Sequence, residues 1–289
     1  MDSTGIKEVH KLSKIDFDLL MDLRVDYAFK LLFTKGDPRL LVSLLSAVFA
    51  NKGIKRAIKS SAIKNPFLEK EAEDDKLSSL DIRAELDDGI SILIEMHMYG
   101  LGDLKAKTIR SWARAYGEER EPGEKYSDQP PAVVIAFVDG QVHPIEKKPG
   151  ANKIHRYCMI MDREDCAIFT DAMELHYIDM NAFAKAVNEA GSIEIGDTVT
   201  EMFAKWLSII TQKEIADKSL IERACETEED IKMAVSTLAR QGEDKYTRQA
   251  YQRHLDDIYY YNKEKYEYEQ KLADKDRQIT ELKARLGEK

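Results

Sequence analysis

A chain of 289 residues that is 43% hydrophobic and 34% charged has enough apolar mass for one large domain, or for one core plus an accessory segment, and too much for disorder throughout. No apolar run approaches the 18 or so residues of a bilayer crossing, and the opening MDSTGIKEVHKL lacks the apolar stretch of a secretory signal, so a reducing, cytoplasmic compartment is expected. Cys158, Cys166 and Cys225 stand too far apart for a paired zinc knuckle, and the net charge of -9 argues against coating nucleic acid by bulk electrostatics.

The charge is unevenly spread. Residues 1 to 125 hold 21 basic and 22 acidic side chains, against 23 basic and 31 acidic in the remainder, which directs any phosphate-facing surface to the first half. Lys52, Lys55, Arg56, Lys59 and Lys64 form its densest basic stretch, either a backbone-phosphate contact or an ordinary solvated face.

In chain order, Phe17, Leu20 and Met21, then Tyr27 and Leu31, then the run from Leu40 to Phe49 recur at helical steps. Gly36-Asp37-Pro38 divides two helices, with Pro in a favoured first-turn position. Gly53 ends the second helix, and extended chain leads to Asn65-Pro66, followed by a charged connector from Glu69 to Lys76. From Leu80 to Tyr99 two alternating runs flank Asp87-Asp88-Gly89, the chemistry of a tight hairpin. Leu104 to Glu121 reads as an amphipathic helix with Ile109, Trp112, Ala113 and Tyr116 on its apolar stripe. Pro131 to Val138 reads as a strand buried on both faces, completing a strand-helix-strand crossover. Tyr157 to Met161 and Met173 to Met180 are further strands for the same sheet.

Beyond about Ile193 the pattern is helical: Phe203, Trp206, Leu207 and Ile210, then Ile221 to Cys225, then Ile231 to Leu238. Near the end, Ile258, Tyr261, Tyr268, Leu272, Ile279, Leu282 and Leu286 fit a and d heptad positions interrupted by Lys265 and Lys275. A single solvated helix or a short coiled coil, and with the latter a homodimer, both fit. The expected division is 1–190 for the α/β domain, 191–250 for a helical segment and 251–289 for a long helix.

The hairpin carries the chemistry. A three-residue loop of Asp87, Asp88 and Gly89 pairs Leu86 with Ile90, and counting outward sets Glu85 opposite Ser91, Ala84 opposite Ile92, Arg83 opposite Leu93, Ile82 opposite Ile94 and Asp81 opposite Glu95. One face is then wholly apolar. The other sets two carboxylates opposite each other, with Cα atoms about 4.5 to 5.5 Å apart. Such a pair needs a shared proton or a cation, and two oxygen donors suit Mg²⁺ or Mn²⁺. His97 lies two residues beyond Glu95 on the same face. The alternative is a pair of solvated acids neutralised by Arg83, and a two-residue loop would instead set Asp81 opposite Met96. Neither a G-x-x-x-x-G-K-[ST] loop nor an H-E-x-x-H helix is present, and nothing reads as a zinc finger or a clear basic recognition helix.

These residues resemble the PD-(D/E)XK nuclease superfamily, and within it the recombination-promoting nucleases labelled "PD-(D/E)XK nuclease family transposase". Over roughly residues 22 to 180, Asp26-Tyr27-Ala28-Phe29-Lys30-Leu31-Leu32-Phe33 is similar to the family's D-x-x-F-K-x-x-F opening, and Asp75 to Ala84, DKLSSLDIRA, to its D-K-x-S-x-L-D-V-x-A stretch. Gly89 to His97 resembles the strand that ends in E-x-Q, and Gly123-Glu124-Lys125-Tyr126 the G-x-x-Y segment. The resemblance implies an α/β fold, a restriction-endonuclease-like αβββαβ core with a C-terminal helical extension, that hydrolyses DNA with Mg²⁺. It implies Asp81 and Glu95 as carboxylate ligands, the Met96 carbonyl as a further ligand, Asp26 as the acid of the first helix, and Lys30 and Lys76 as phosphate contacts. The chain departs at His97, where relatives have Gln and the wider superfamily Lys. A catalytically altered nuclease-like binding module, oligomerising through its C-terminal helices, is the competing expectation.

Overall fold

Gly36 and Asp37 separate α1 (Asp26–Lys35) from α2 (Pro38–Ala50), and the Asp37 side chain caps α2 by accepting from the Arg39 amide at 2.9 Å. The computed structural model describes residues 15–56, 58, 61–63, 82–98, 103–118, 125–143, 153–194 and 199–286. The strands are β1 (Ser61–Ile63), β2 (Ile82–Leu86), β3 (Ser91–His97), β4 (Ala132–Val138), β5 (His155–Met161) and β6 (Ile168–Asp179), in the sheet order β1-β2-β3-β4-β6-β5. The helices after α2 are α3 (Leu104–Glu118), α4 (Met180–Ala190), α5 (Glu201–Ile210), α6 (Ser219–Thr227), α7 (Glu229–Glu243) and α8 (Lys245–Leu286). The described chain divides between Gly242 and Glu243 into two units, and α8 belongs to the second. The first is an α/β restriction-endonuclease-like core, with a helical region following it.

Helix does not begin at Phe17, as its spacing predicts, but at Asp26. Asp16 and Asp22 each accept a backbone N–H two residues on, from Asp18 and Arg24, both at 2.9 Å. These side chains offer the backbone an alternative to the helical ladder. The carbonyls of Phe17, Asp18 and Met21 meanwhile accept from Lys213 and Gln212.

The β2–β3 hairpin has the register its loop dictates. Gly89 takes φ +81°, its amide donates to the Leu86 carbonyl at 3.0 Å, and Ile82, Arg83, Ala84 and Glu85 pair with Ile94, Leu93, Ile92 and Ser91. β3 and β4 pair in parallel across α3, and β4 pairs in parallel with β6, so three strands end side by side at His97, Val138 and Asp179. Parity then sorts the side chains. Ile92, Ile94, Met96 and Phe137 face α1, whose Phe29 ring lies 5.6 Å from that of Phe137. Leu93, Glu95, Val134, Ala136 and Tyr177 face α3.

The buried stripe of α3 is rotated from the one its periodicity predicts. Leu104, Thr108 and Ala115 are buried, whereas Ile109 and Ala113 are exposed. Thr108 takes a core position because its hydroxyl bonds the Leu104 carbonyl at 3.0 Å and Tyr177 Oη at 2.6 Å, removing the penalty of a buried polar group. Trp112 Nε1 donates to the Ala172 carbonyl, fixing that flank of the helix over β6.

On the opposite face runs a buried polar chain. The Thr200 amide donates to Asn51 Oδ1 at 2.7 Å, so Asn51 Nδ2 is the group 2.9 Å from His155 Nδ1. His155 Nδ1 therefore accepts, His155 Nε2 carries the proton and donates to His176 Nδ1 at 2.9 Å, and His176 Nε2 faces Glu174 Oε2 at 3.7 Å. Arg56 closes the chain on Glu174 at 2.7 Å while lying over the Phe49 ring. Burial pushes both imidazoles well below the ordinary histidine range, reinforced for His155 by His176 and Lys52 and opposed for His176 by Glu174. Both are neutral in the fold, so their contribution to stability is complete above the unfolded-state value near 6.5 and is lost as pH falls below it. The urea midpoint is expected to drop between pH 7 and pH 5, and the drop to shrink in His155→Gln, measured by tryptophan fluorescence.

Candidate functional site

Strand β3 reads SILIEMH, and its alternation turns Ser91, Leu93, Glu95 and His97 toward α3. Glu95 is 0% exposed, and its strand neighbour on β4 is Ala136. A carboxylate there stays ionised only if partners outweigh its lost hydration. Burial alone would push the Glu95 carboxyl up. The hydrogen bond from His97, with Ser111 and Lys107 of α3 adding to it, more than offsets that and holds the group below the ordinary carboxylate range.

The geometry assigns protons. His97 Nε2 lies 2.7 Å from Glu95 Oε2, and an ionised carboxylate only accepts, so Nε2 is the donor. Among the described residues no hydrogen bond of normal geometry reaches Glu95 Oε1, although that atom is buried and Ser111 lies near the carboxylate. The His97 carbonyl accepts from the Asp139 amide at 3.1 Å, which ties the end of β3 to the residue after β4.

The other predicted residues fall as follows. Asp81 and Lys76 lie outside the described residues, as does most of the DKLSSLDIRA motif. Met96 is buried with its side chain on the α1 face, and only its carbonyl enters the predicted ligand set. Asp26 opens α1, across the sheet from the Glu95 side chain, and its Oδ1 accepts from the Tyr27 amide at 2.8 Å. Lys30 is 7% exposed, which leaves little of it for a phosphate. In the basic stretch from Lys52 to Lys64, Arg56 is committed to Glu174, and Lys55 is exposed. Lys107 and Ser111 escaped the sequence reading, although their spacing of four places both on one flank of a helix that must cover β3.

Glu95 Oε1, which receives no hydrogen bond of normal geometry among the described residues, fits a hard divalent cation, which completes a carboxylate in the way a hydrogen bond would. Among the described residues no group of three or more His, Cys, Asp or Glu converges to hold a metal.

A parallel β3–α3–β4 crossover flanked by an antiparallel hairpin, with a buried acid at the end of its second strand, is the framework of a nuclease-like α/β domain. The sequence matches the family described as PD-(D/E)XK nuclease family transposase over residues 23–277, and the chain belongs to that family. That match continues well past residue 180, where the short motifs stop. No curated protein and no solved structure matches the chain.

Replacing His97 by Ala withdraws the hydrogen bond from a buried carboxylate and is expected to cost about 2 kcal/mol in urea denaturation at pH 7, whereas His97→Gln, which keeps a donor, costs about half of that or less.

Proposed function

We propose that the protein is a metal-dependent endonuclease that hydrolyses DNA phosphodiesters. The observation that carries this reading is Glu95: buried, ionised, held on one oxygen by His97 and, among the described residues, without a hydrogen bond of normal geometry on the other. Asp81, by its position in the DKLSSLDIRA motif and by the register that pairs Ile82 with Ile94, is the second carboxylate, and the Met96 carbonyl a further ligand. Bound Mg²⁺ or Mn²⁺ supplies a Lewis acid for the phosphate and lowers the pKa of a coordinated water.

His97 has two tasks in this reading. Its Nε2–H fixes the rotamer of Glu95, and the same bond leaves Nδ1 as the ring atom to accept the proton of the attacking water. Attack on phosphorus forms the new P–O bond and breaks the bond to the leaving sugar oxygen. The family's Gln at this position orients water without taking its proton. Asp26 and the lysines Lys30 and Lys76 remain proposals from the motif, and Lys30 has little surface to contribute.

With plasmid DNA and Mg²⁺ or Mn²⁺, Asp81→Ala and Glu95→Gln are each expected to lose about a hundredfold or more in cleavage rate with unchanged circular dichroism, and EDTA abolishes cleavage by the parent. A fully active double variant overturns the assignment. His97→Gln retains cleavage.

A second reading, a nuclease-like binding module that self-associates, is favoured by α8. It exposes Tyr261, Tyr268, Leu272, Ile279 and Leu282 at heptad spacing. Light scattering on a chain ending at Tyr251 separates the two: loss of a dimer with cleavage intact assigns α8 to association alone.

A further inference from the structure

Among the described helices, the one with the largest excess of basic side chains lies over the buried carboxylate of Glu95. Helix α3, LKAKTIRSWARAYGE, carries Lys105, Lys107, Arg110 and Arg114, and its one acid, Glu118, comes last. At 100° per residue, Lys107, Arg110 and Arg114 fall within one narrow arc, because spacings of three and four return to the same side. All three are exposed.

Two contacts fix which side that is. Trp112 bonds the Ala172 carbonyl on β6, and Thr108 bonds Tyr177 on the same strand, so the Trp112 flank faces β6. Ser111 and Lys107 act on Glu95 of β3, so their flank faces the other way. The stripe therefore borders the sheet face that presents Glu95 and His97. Arg83 of β2, opposite Leu93 in register, adds a fourth cation on that face, and Glu85 is the acid beside it.

We infer that the Lys107–Arg110–Arg114 stripe of α3 is a docking track for the phosphate backbone of the DNA strand presented to Glu95. This deepens the nuclease reading and rests on it. The rise of about 1.5 Å per residue spreads the three cations over about 10 Å, long enough to follow two or three consecutive phosphates at about 3.4 Å of axis each. Charge complementarity selects the occupant: an acidic protein surface or a membrane would not require the cations to line the flank nearest a buried carboxylate. Phosphate contacts of this kind position the backbone and carry no base information, in keeping with a helix that has no Asn or Gln on its exposed side.

The test uses the full chain and a fluorescein-labelled duplex, titrated in EDTA at several salt concentrations, alongside plasmid cleavage in Mn²⁺. Lys107→Gln/Arg110→Gln/Arg114→Gln is expected to reduce the slope of log affinity against log salt by about 2.7 and to weaken binding on the order of a hundredfold near 0.1 M salt. The charge-matched Lys185→Gln/Arg223→Gln/Lys283→Gln leaves the slope within about one of the parent. Glu95→Gln keeps the affinity and loses cleavage. A stripe variant that binds and cleaves like the parent, or a matched control that loses as much, overturns the docking track while the nuclease reading stands. A parent that neither binds nor cleaves DNA removes both.

Discussion

The positive φ of Gly89 governs the chemistry at a distance. By closing the β2–β3 loop in three residues, it determines which side chains of both strands share a face. A slip of one position would exchange Glu95 and His97 for Ile94 and Met96, burying the acid among the phenylalanines under α1. β4 and β6 inherit the same parity through their parallel ladders. The site is consequently as rigid as the sheet, since none of its described side chains sits on a loop.

The two faces of the sheet handle buried charge in related ways. Beneath α3, one imidazole steadies Glu95 at Oε2, and among the described residues Oε1 receives no hydrogen bond of normal geometry. Beneath α2 and α5, Arg56 covers Glu174 at both oxygens, and two histidines extend the contact inward. Glu174 is closed by its partners, which suits a structural role. Glu95 has no hydrogen bond of normal geometry on Oε1 among the described residues, and in the proposed reading that is where a ligand is taken.

Much of this was readable from the residues alone, and the exceptions have physical causes. Local turn chemistry and strict alternation specified the hairpin, and of the two loop lengths that Asp-Asp-Gly allows, the three-residue one sets the register. The buried run AVVIAFV marked the central strand. By contrast, Phe17 to Met21 has helical spacing, but Asp16, Asp22 and the distant Gln212 and Lys213 take its backbone groups. In α3 a threonine displaced the isoleucine from the core because Tyr177, 69 residues away, satisfies its hydroxyl. His155 looks isolated in sequence, and its partners come from β6 and from the end of α2. Glu95 and His97 were readable as a pair from their spacing of two. The contribution of α3 was not, since it depends on how the helix is turned over the sheet.

The relay from Thr200 to Arg56 has a single sense. One main-chain amide decides which way the Asn51 carboxamide lies, and every proton after it follows. Reversing the Asn51 carboxamide or either imidazole leaves two donors or two acceptors face to face, so the set holds one orientation. Segments far apart in the chain, the end of α2, the start of α5, the edge strand β5 and its neighbour β6, are thereby joined through the polarity of five side chains, a lock whose key is an orientation rather than a contact area.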